Sequence, residues 1–245
     1  ERKGDYMAQI AANKLGTRRL QELFTKWTRE QISEGCTGII EAVTRRMRAG
    51  IADLPDGRYE FTDVLDDDGM GTTNIPICVK IDIQSDEIWL NFEGSASQVA
   101  GNMNNSFAGL QASVLFALKV LIDPDGPTNH GMLDPVHIDA PEASVVNASF
   151  PAATAARAQT CQRIIDVILG ALAPAVPERV IAACNGANGV ATFSGEGPDG
   201  QYYLYMETIG GGAGGRSYQD GSDGIQVHVT NTSNLPVEAL ENEYP

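Results

Sequence analysis

The chain has 245 residues, enough to bury a large core as one large domain or two small ones. Its 32 acidic against 17 basic residues leave a formal charge of −15, which excludes a nucleic-acid binder, because phosphate backbones demand basic stripes. The four cysteines, Cys36, Cys78, Cys161 and Cys184, are scattered without a C-x-x-C pair or nearby histidines. That excludes a zinc site and a disulfide scaffold, and it points to reduced thiols in a cytoplasmic protein. No apolar run approaches the roughly 20 residues of a membrane span, and no signal-peptide pattern is present.

In chain order, Asp5 caps a predicted helix from Tyr6 to Leu15 that Gly16 closes. Thr17 caps a longer one, whose apolar stripe runs through Leu20, Leu23, Phe24, Trp27, Cys36, Ile39, Ile40, Val43 and Met47. Arg45, Arg46 and Arg48 fall near its end, where cations favour the negative pole of the helix dipole, a reading preferred over phosphate binding. Leu54-Pro-Asp-Gly57 is a turn before a strand from Arg58 to Leu65. The acidic run Asp66-Asp-Asp-Gly69 lacks the EF-hand spacing, since Val64 and Ile75 stand at ligand positions, so it reads as a solvated loop.

Ile75, Ile77, Val79, Ile81 and Ile83 alternate with polar or small residues, Gln84-Ser-Asp86 turns the chain, and Ile88, Leu90 and Phe92 alternate on the return. This is an antiparallel hairpin with one buried face. A polar loop follows, then a helix from about Phe107 to Leu121, which Asp123-Pro-Asp-Gly-Pro-Thr-Asn-His-Gly131 breaks. Short strands are predicted at Val136 to Ile138 and Ser144 to Val146, and a second helix from about Ala153 to Leu172, with Ile164, Ile165, Ile168, Leu169 and Leu172 inward. Beyond it come strands at Val180 to Cys184, Gly189 to Phe193, Gln201 to Ile209 and Ile225 to Val229. The pattern is α+β: antiparallel-rich mixed sheets packed with two to three long helices.

The densest chemistry lies between Glu207 and Glu241. Five glycines occupy six positions from Gly210 to Gly215, followed by Arg216, Asp220, the strand bearing His228, and the polar run Thr230-Asn-Thr-Ser-Asn234 ahead of Glu238. Gly210-x-Gly212-x-x-Gly215 formally matches a dinucleotide fingerprint, but Arg216 to Gly224 has turn composition where that site needs a helix. Two readings of the glycines stay open: a nest of amides (Gly210, Gly211, Gly212) for a carboxylate or acyl-phosphate oxyanion, and tight backbone packing. His228 is read either as a general base or as a structural imidazole. His130 and His137 carry no metal spacing, no serine sits in a nucleophile elbow, and Cys184 is read either as a nucleophile or, preferably, as a packed and inert thiol. Arg157 and Arg216 are the cations nearest polar or glycine-rich segments, suited to clamp a carboxylate or acyl phosphate.

Several blocks occur in the order found in the hydantoinase B/oxoprolinase family, which the chain resembles over essentially its whole length. They are Gly4-Asp-Tyr-Met-Ala-Gln-Ile-Ala-Ala-Asn13, Phe92-Glu-Gly-Ser-Ala-Ser-Gln98, Pro127-Thr-Asn-His-Gly131, Pro151-Ala-Ala and Cys161-Gln-Arg-Ile-Ile-Asp-Val-Ile-Leu-Gly-Ala-Leu172. The last is the stretch from Glu207 to Glu241.

The resemblance implies the B-type module of an ATP-dependent hydrolase that opens a cyclic amide such as 5-oxoproline or an N-substituted hydantoin. It would act with an A-type module that binds ATP and Mg, as part of a hetero-oligomer. Residues 1–245 then read as an internal fragment, inactive and prone to associate when expressed alone. The family's N-terminal part, with a His-x-x-Asp motif and a further His pair that look like ligands for a divalent metal, is not in them. No metal site is expected in this chain. His228, Asn231, Asn234 and Glu238 are the expected catalytic cluster, with Gly210, Gly211, Gly212, Arg157, Arg216 and Asp220 contacting substrate. A ketone carboxylase module and a non-catalytic scaffold are the competing readings.

Overall fold

A computed structural model describes residues 2–187, 189–226, 228–230 and 232–243. Two helices open the chain, α1 at Arg2–Phe24 and α2 at Arg29–Ala52. The expected break at Gly16 is absent. A glycine costs an exposed helix only about 1 kcal/mol, and α1 buries none of its residues. The break falls instead at Thr28, where a reciprocal capping box with Gln31 starts α2: Gln31 N–H donates to Thr28 Oγ1 at 3.2 Å and Thr28 N–H to Gln31 Oε1 at 2.9 Å. The single apolar stripe is thereby divided. Val43 and Met47 enter the core, while Leu20, Phe24, Trp27 and Ile39 stay exposed.

Three strands follow as a meander, β1 (Gly57–Asp67), β2 (Thr73–Gln84) and β3 (Glu87–Asn91), with antiparallel pairing. The alternation in β2 places Ile75, Ile77, Val79, Ile81 and Ile83 on one buried face, each at most 1% exposed. A crossover through α3 (Phe107–Ile122), capped by Ser106, returns the chain as β4 (Val136–Asp139) parallel to β3. The result is one mixed sheet of order β1-β2-β3-β4. Helix α4 (Arg157–Leu172) packs on β1, β2 and α3 and sends Ile164, Ile165, Ile168, Leu169 and Leu172 into the core. Beyond it lie the hairpin β5 (Gly189–Glu196) with β6 (Tyr202–Ile209), the short pair β7 (Ile225–Gln226) with β8 (Thr232–Ser233), and α5 (Val237–Glu243). The architecture is α+β, mixing helices with small sheets. No helix of the described residues is long and apolar enough to cross a membrane.

Four local expectations are corrected. Ser144 to Val146 and Val180 to Cys184 are not strands; the first makes only isolated bridges. The α2 arginines are held by tertiary ion pairs rather than by the dipole alone, Arg46 by Asp123 at 2.5 Å and Arg48 by Asp86 and Glu87 at 3.1 and 3.0 Å.

The fourth concerns the acidic run, which is not simply solvated: Asp68 is 5% exposed and ties two loops together. Its carboxylate accepts from the amides of Met70, Thr72 and Gly101 at 2.9, 2.9 and 3.0 Å. Burial alone raises its pKa, but these backbone donors outweigh burial and bring it down to about 2. Because the folded value lies below the ordinary carboxylate value, the stabilisation is fully present above about pH 4 and is lost as pH falls through about 2. We expect Asp68→Asn to be less stable than the parent at neutral pH, with the gap closing between those limits. Denaturant unfolding at a series of pH values measures it; a gap independent of pH would contradict the assignment.

Candidate active site around Asp166 and His228

Helix α4 carries a charged residue on its buried face. Asp166 lies between Ile165 and Val167, with its side chain 2% exposed, where an ion must be paired to be tolerated. One carboxylate oxygen, Oδ1, meets His228 Nε2 at 2.8 Å, and the other, Oδ2, accepts from the Cys184 thiol at 3.3 Å. The Cys184 amide also donates to Oδ1 at 3.3 Å. Arg163, one turn earlier on the helix, stands 3.7 Å from Asp166 Oδ2 and donates to Asp63 Oδ2 of β1 at 2.6 Å. Gly186 has φ +68°, and a Cβ there would sit 2.2 Å from the Arg163 guanidinium, so glycine permits both the turn and the approach.

His228 does not continue β7. It opens a 3-10 turn, His228–Thr230, with φ 60°, a left-handed conformation that is uncommon outside glycine and concentrates at functional sites. The turn swings the imidazole off the strand and onto Asp166, with Phe116 edge-on to the ring at 6.1 Å. Thr230 Oγ1, accepting from Gln162 Nε2 at 2.9 Å, fastens the other end of the turn to α4. With the carboxylate on Nε2, the neutral tautomer that donates from Nε2 leaves Nδ1 as the ring's acceptor.

His228 forms part of the wall of a cavity of about 400 Å³ that Arg179, Arg216 and Asp220 also line. The structure therefore brings together three of the sequence-predicted site residues, His228, Arg216 and Asp220. The other described ones do not line it. Glu238 is exposed in the first turn of α5, and Arg157 is exposed at the start of α4. Asn231 lies outside the described residues. Asn234 clasps Gly210, accepting from its amide at 2.6 Å and donating to its carbonyl at 3.2 Å.

That clasp bears on the glycine nest. The Gly210 amide is committed to Asn234, and the Gly212 amide donates to the Ile225 carbonyl at 3.0 Å. A Cβ on Gly210 would meet the Ile225 carbonyl carbon at 2.5 Å, and one on Gly211 the Asn185 side chain at 2.5 Å. Close backbone packing therefore accounts for the missing side chains at Gly210 and Gly211, and the Gly210 and Gly212 amides are already taken. No helix opens after Gly215, so the dinucleotide geometry is absent.

Asp166 is the member of this cluster that the sequence reading does not single out. Its signal was available: a carboxylate and an arginine on the inward face of an otherwise apolar helix. The ligating atoms of Asp166, Cys184 and His228 lie within 4.8 Å of one another, close enough for a metal ion to bridge. The cluster instead satisfies itself by hydrogen bonds, with a fixed guanidinium beside it, and so does not fit a resident cation well. Burial first, and then the negative charge of Asp166, push the Cys184 thiol up to about 12, so it is a protonated donor at neutral pH rather than a nucleophile. Iodoacetamide at about pH 8 is expected to alkylate the exposed Cys36 and to spare Cys184 until the chain unfolds. Peptide mass spectrometry reads this directly, and early modification of Cys184 would contradict it.

The fold has close counterparts. A structure of the ATP-dependent caprolactamase from Pseudomonas jessenii superimposes with a TM-score of 0.85 at 28% identity, covering 100% of this chain and 43% of that one. An uncharacterized protein of Methanocaldococcus jannaschii is 37% identical over 243 residues, 99% of this chain and 42% of its own length. The B-type component of a putative D-/L-hydantoinase from a Pseudomonas species is 31% identical over 253 residues, again 99% and 42%. The chain thus spans well under half the length of these relatives. The family model for hydantoinase B/oxoprolinase matches residues 1–245, end to end, and the chain belongs to that family.

Proposed function

We propose that the chain is part of the B-type module of an enzyme that opens a cyclic amide at the expense of ATP, in partnership with an A-type module that binds ATP and Mg. The observation that carries the reading is the Asp166–His228 pair, at 2.8 Å, on the wall of a cavity in a chain whose whole length matches the family. An unactivated ring amide is a poor electrophile. Transfer of the terminal phosphoryl group of ATP to its oxygen creates a leaving group. Water then adds to the ring carbon, the C–N bond breaks with a proton going to nitrogen, and a further water completes release of phosphate. The net change consumes ATP, the ring and two waters, and yields ADP, phosphate and the open amino acid.

In this scheme His228 is the general base. Asp166 fixes the ring through Nε2 and stabilises the imidazolium, while Nδ1 takes the proton of the attacking water. Arg216 and Asp220 contact the substrate. Asn234 ties the glycine loop to the end of β8, and the step asks nothing of Glu238, Asn231 or Arg157. A divalent metal, if the protein uses one, would be held by residues other than these.

The test is ATP hydrolysis by the complete pair of A-type and B-type modules against a panel of cyclic amides. Stimulation by at least one ring, with the opened acid as product, is expected. Silence toward every ring, with turnover on a ketone plus bicarbonate, would make the chain part of a carboxylase instead.

A further inference from the structure

Most arginines that contact the core sheet or its helices are neutralised in place. Arg46 sits on Asp123, Arg48 on Glu87, Arg58 on Asp82 and Arg163 on Asp63. Arg179 and Arg216 are different. Both line the cavity beside His228, and neither forms an ion pair among the described residues. Among the described residues, Arg216 Nη1 reaches the Tyr218 hydroxyl, at 3.1 Å, and no carboxylate. Asp220 lines the same cavity, also without an ion pair among the described residues.

In a chain where acidic residues outnumber basic ones 32 to 17, two guanidinium groups left unpaired in one concavity run against composition. Phe116, Val120, Leu169 and Ile181 form an apolar side of the wall, and Gln219 and Ser222 add uncharged polar groups. An apolar wall with a few converging charges is the usual make-up of a small-molecule site, and about 400 Å³ lies within the usual range of roughly 300–1,000 Å³. A planar guanidinium fork matches a carboxylate in shape as well as charge.

We propose that this cavity is a carboxylate subsite. Arg179 and Arg216 hold the carboxylate of an anionic ring substrate, the apolar wall takes its methylene edge, and Asp220 takes its N–H and then the ammonium released on opening. The inference rests on the ring-opening reading and narrows it: rings that carry a carboxylate are preferred over neutral lactams of the same size.

Calorimetric titration of the full-length protein tests it with three probes: 5-oxoproline, 2-pyrrolidinone (the same ring without its carboxylate) and inorganic phosphate. Saturable binding of 5-oxoproline is expected, about tenfold or more tighter than either of the others. Arg216→Gln and Arg179→Gln should each lower that preference about tenfold, and Arg216→Lys should retain part of it. Thermal unfolding checks that each variant is folded; should one fail, the other arginine decides. Equal binding of the ring with and without its carboxylate, no binding of 5-oxoproline, or a preference unmoved in the glutamine variants overturns the subsite. Phosphate binding as tightly as 5-oxoproline overturns the carboxylate assignment. ATP turnover with neutral lactams would keep the ring-opening reading alive while the subsite failed, so the two are separable.

Discussion

Replacing Asp166 by asparagine is expected to lower the cyclic-amide-dependent turnover of the complete pair of modules by about 10²–10⁴-fold, the usual worth of a positioned general base. The substitution keeps the volume of the side chain but removes the charge that opposes an imidazolium at His228, 2.8 Å away. It also lets an amide N–H face Nε2, which favours the wrong tautomer and turns the acceptor Nδ1 into a donor. His228→Gln should fall to a similar level, and the double variant should fall little further, because the two act as one unit. Substrate KM should change much less than kcat if Asp166 acts through His228 rather than on the ring. Weakening a buried hydrogen bond to a charged group costs about 1.5–3 kcal/mol, so circular dichroism must accompany the kinetics. A folded Asp166→Asn protein with full turnover would remove the pair from the chemistry.

The second large effect is on stability. Phe92 follows β3, is completely buried, and ties the sheet through its amide to the Asp139 carbonyl at 2.9 Å. Phe92→Ala should cost about 3–5 kcal/mol, the sum of lost transfer energy and an unfilled cavity. For a protein of this size that corresponds to a thermal midpoint lower by roughly 6–20 °C. The site is built on α3, α4 and the loops after α4, and Phe92 does not line it, so well below the midpoint 5-oxoproline should bind the variant as it binds the parent. A midpoint shift under about 2 °C would show that the core at Phe92 repacks freely.

The contrast between these two residues explains how much was legible beforehand. The hairpin of β2 and β3 was readable because period-two alternation has one buried face and no rival. Helices α3 and α4 were readable within a few residues at most of their ends, for the analogous reason at period 3.6. The α1–α2 boundary differs from the expected one because Gly16 has the look of a stop but lies in an exposed helix that tolerates it, while the Thr28–Gln31 capping box sets the true start of α2. Strand β4 was found, but its parallel pairing depends on a crossover that no local pattern specifies. The short stretch from Val180 to Cys184 has strand composition yet takes its hydrogen bonds from Asp166 and Gly215 across long separations.

The site divides in the same way. His228, Arg216 and Asp220 were flagged by residue type and by their place in the glycine-rich stretch, and they share one cavity. Their partner Asp166 was hidden 62 positions earlier, within a helix whose apolar face dominates its pattern. Asn234 and the glycines were chosen as polar or anion-binding groups. The hydrogen bonds of Asn234, Gly210 and Gly212 go instead to closing one loop on another, which depends on tertiary contacts.

The most direct measurement of the central claim is product analysis with the complete pair of modules, ATP and 5-oxoproline, comparing the parent chain with His228→Gln. The account predicts that the opened amino acid and ADP accumulate together with the parent chain, and that both fall about 10²–10⁴-fold with the variant while the protein stays folded. ADP formation without ring opening by the parent chain, or equal ring opening by parent and variant, would contradict it.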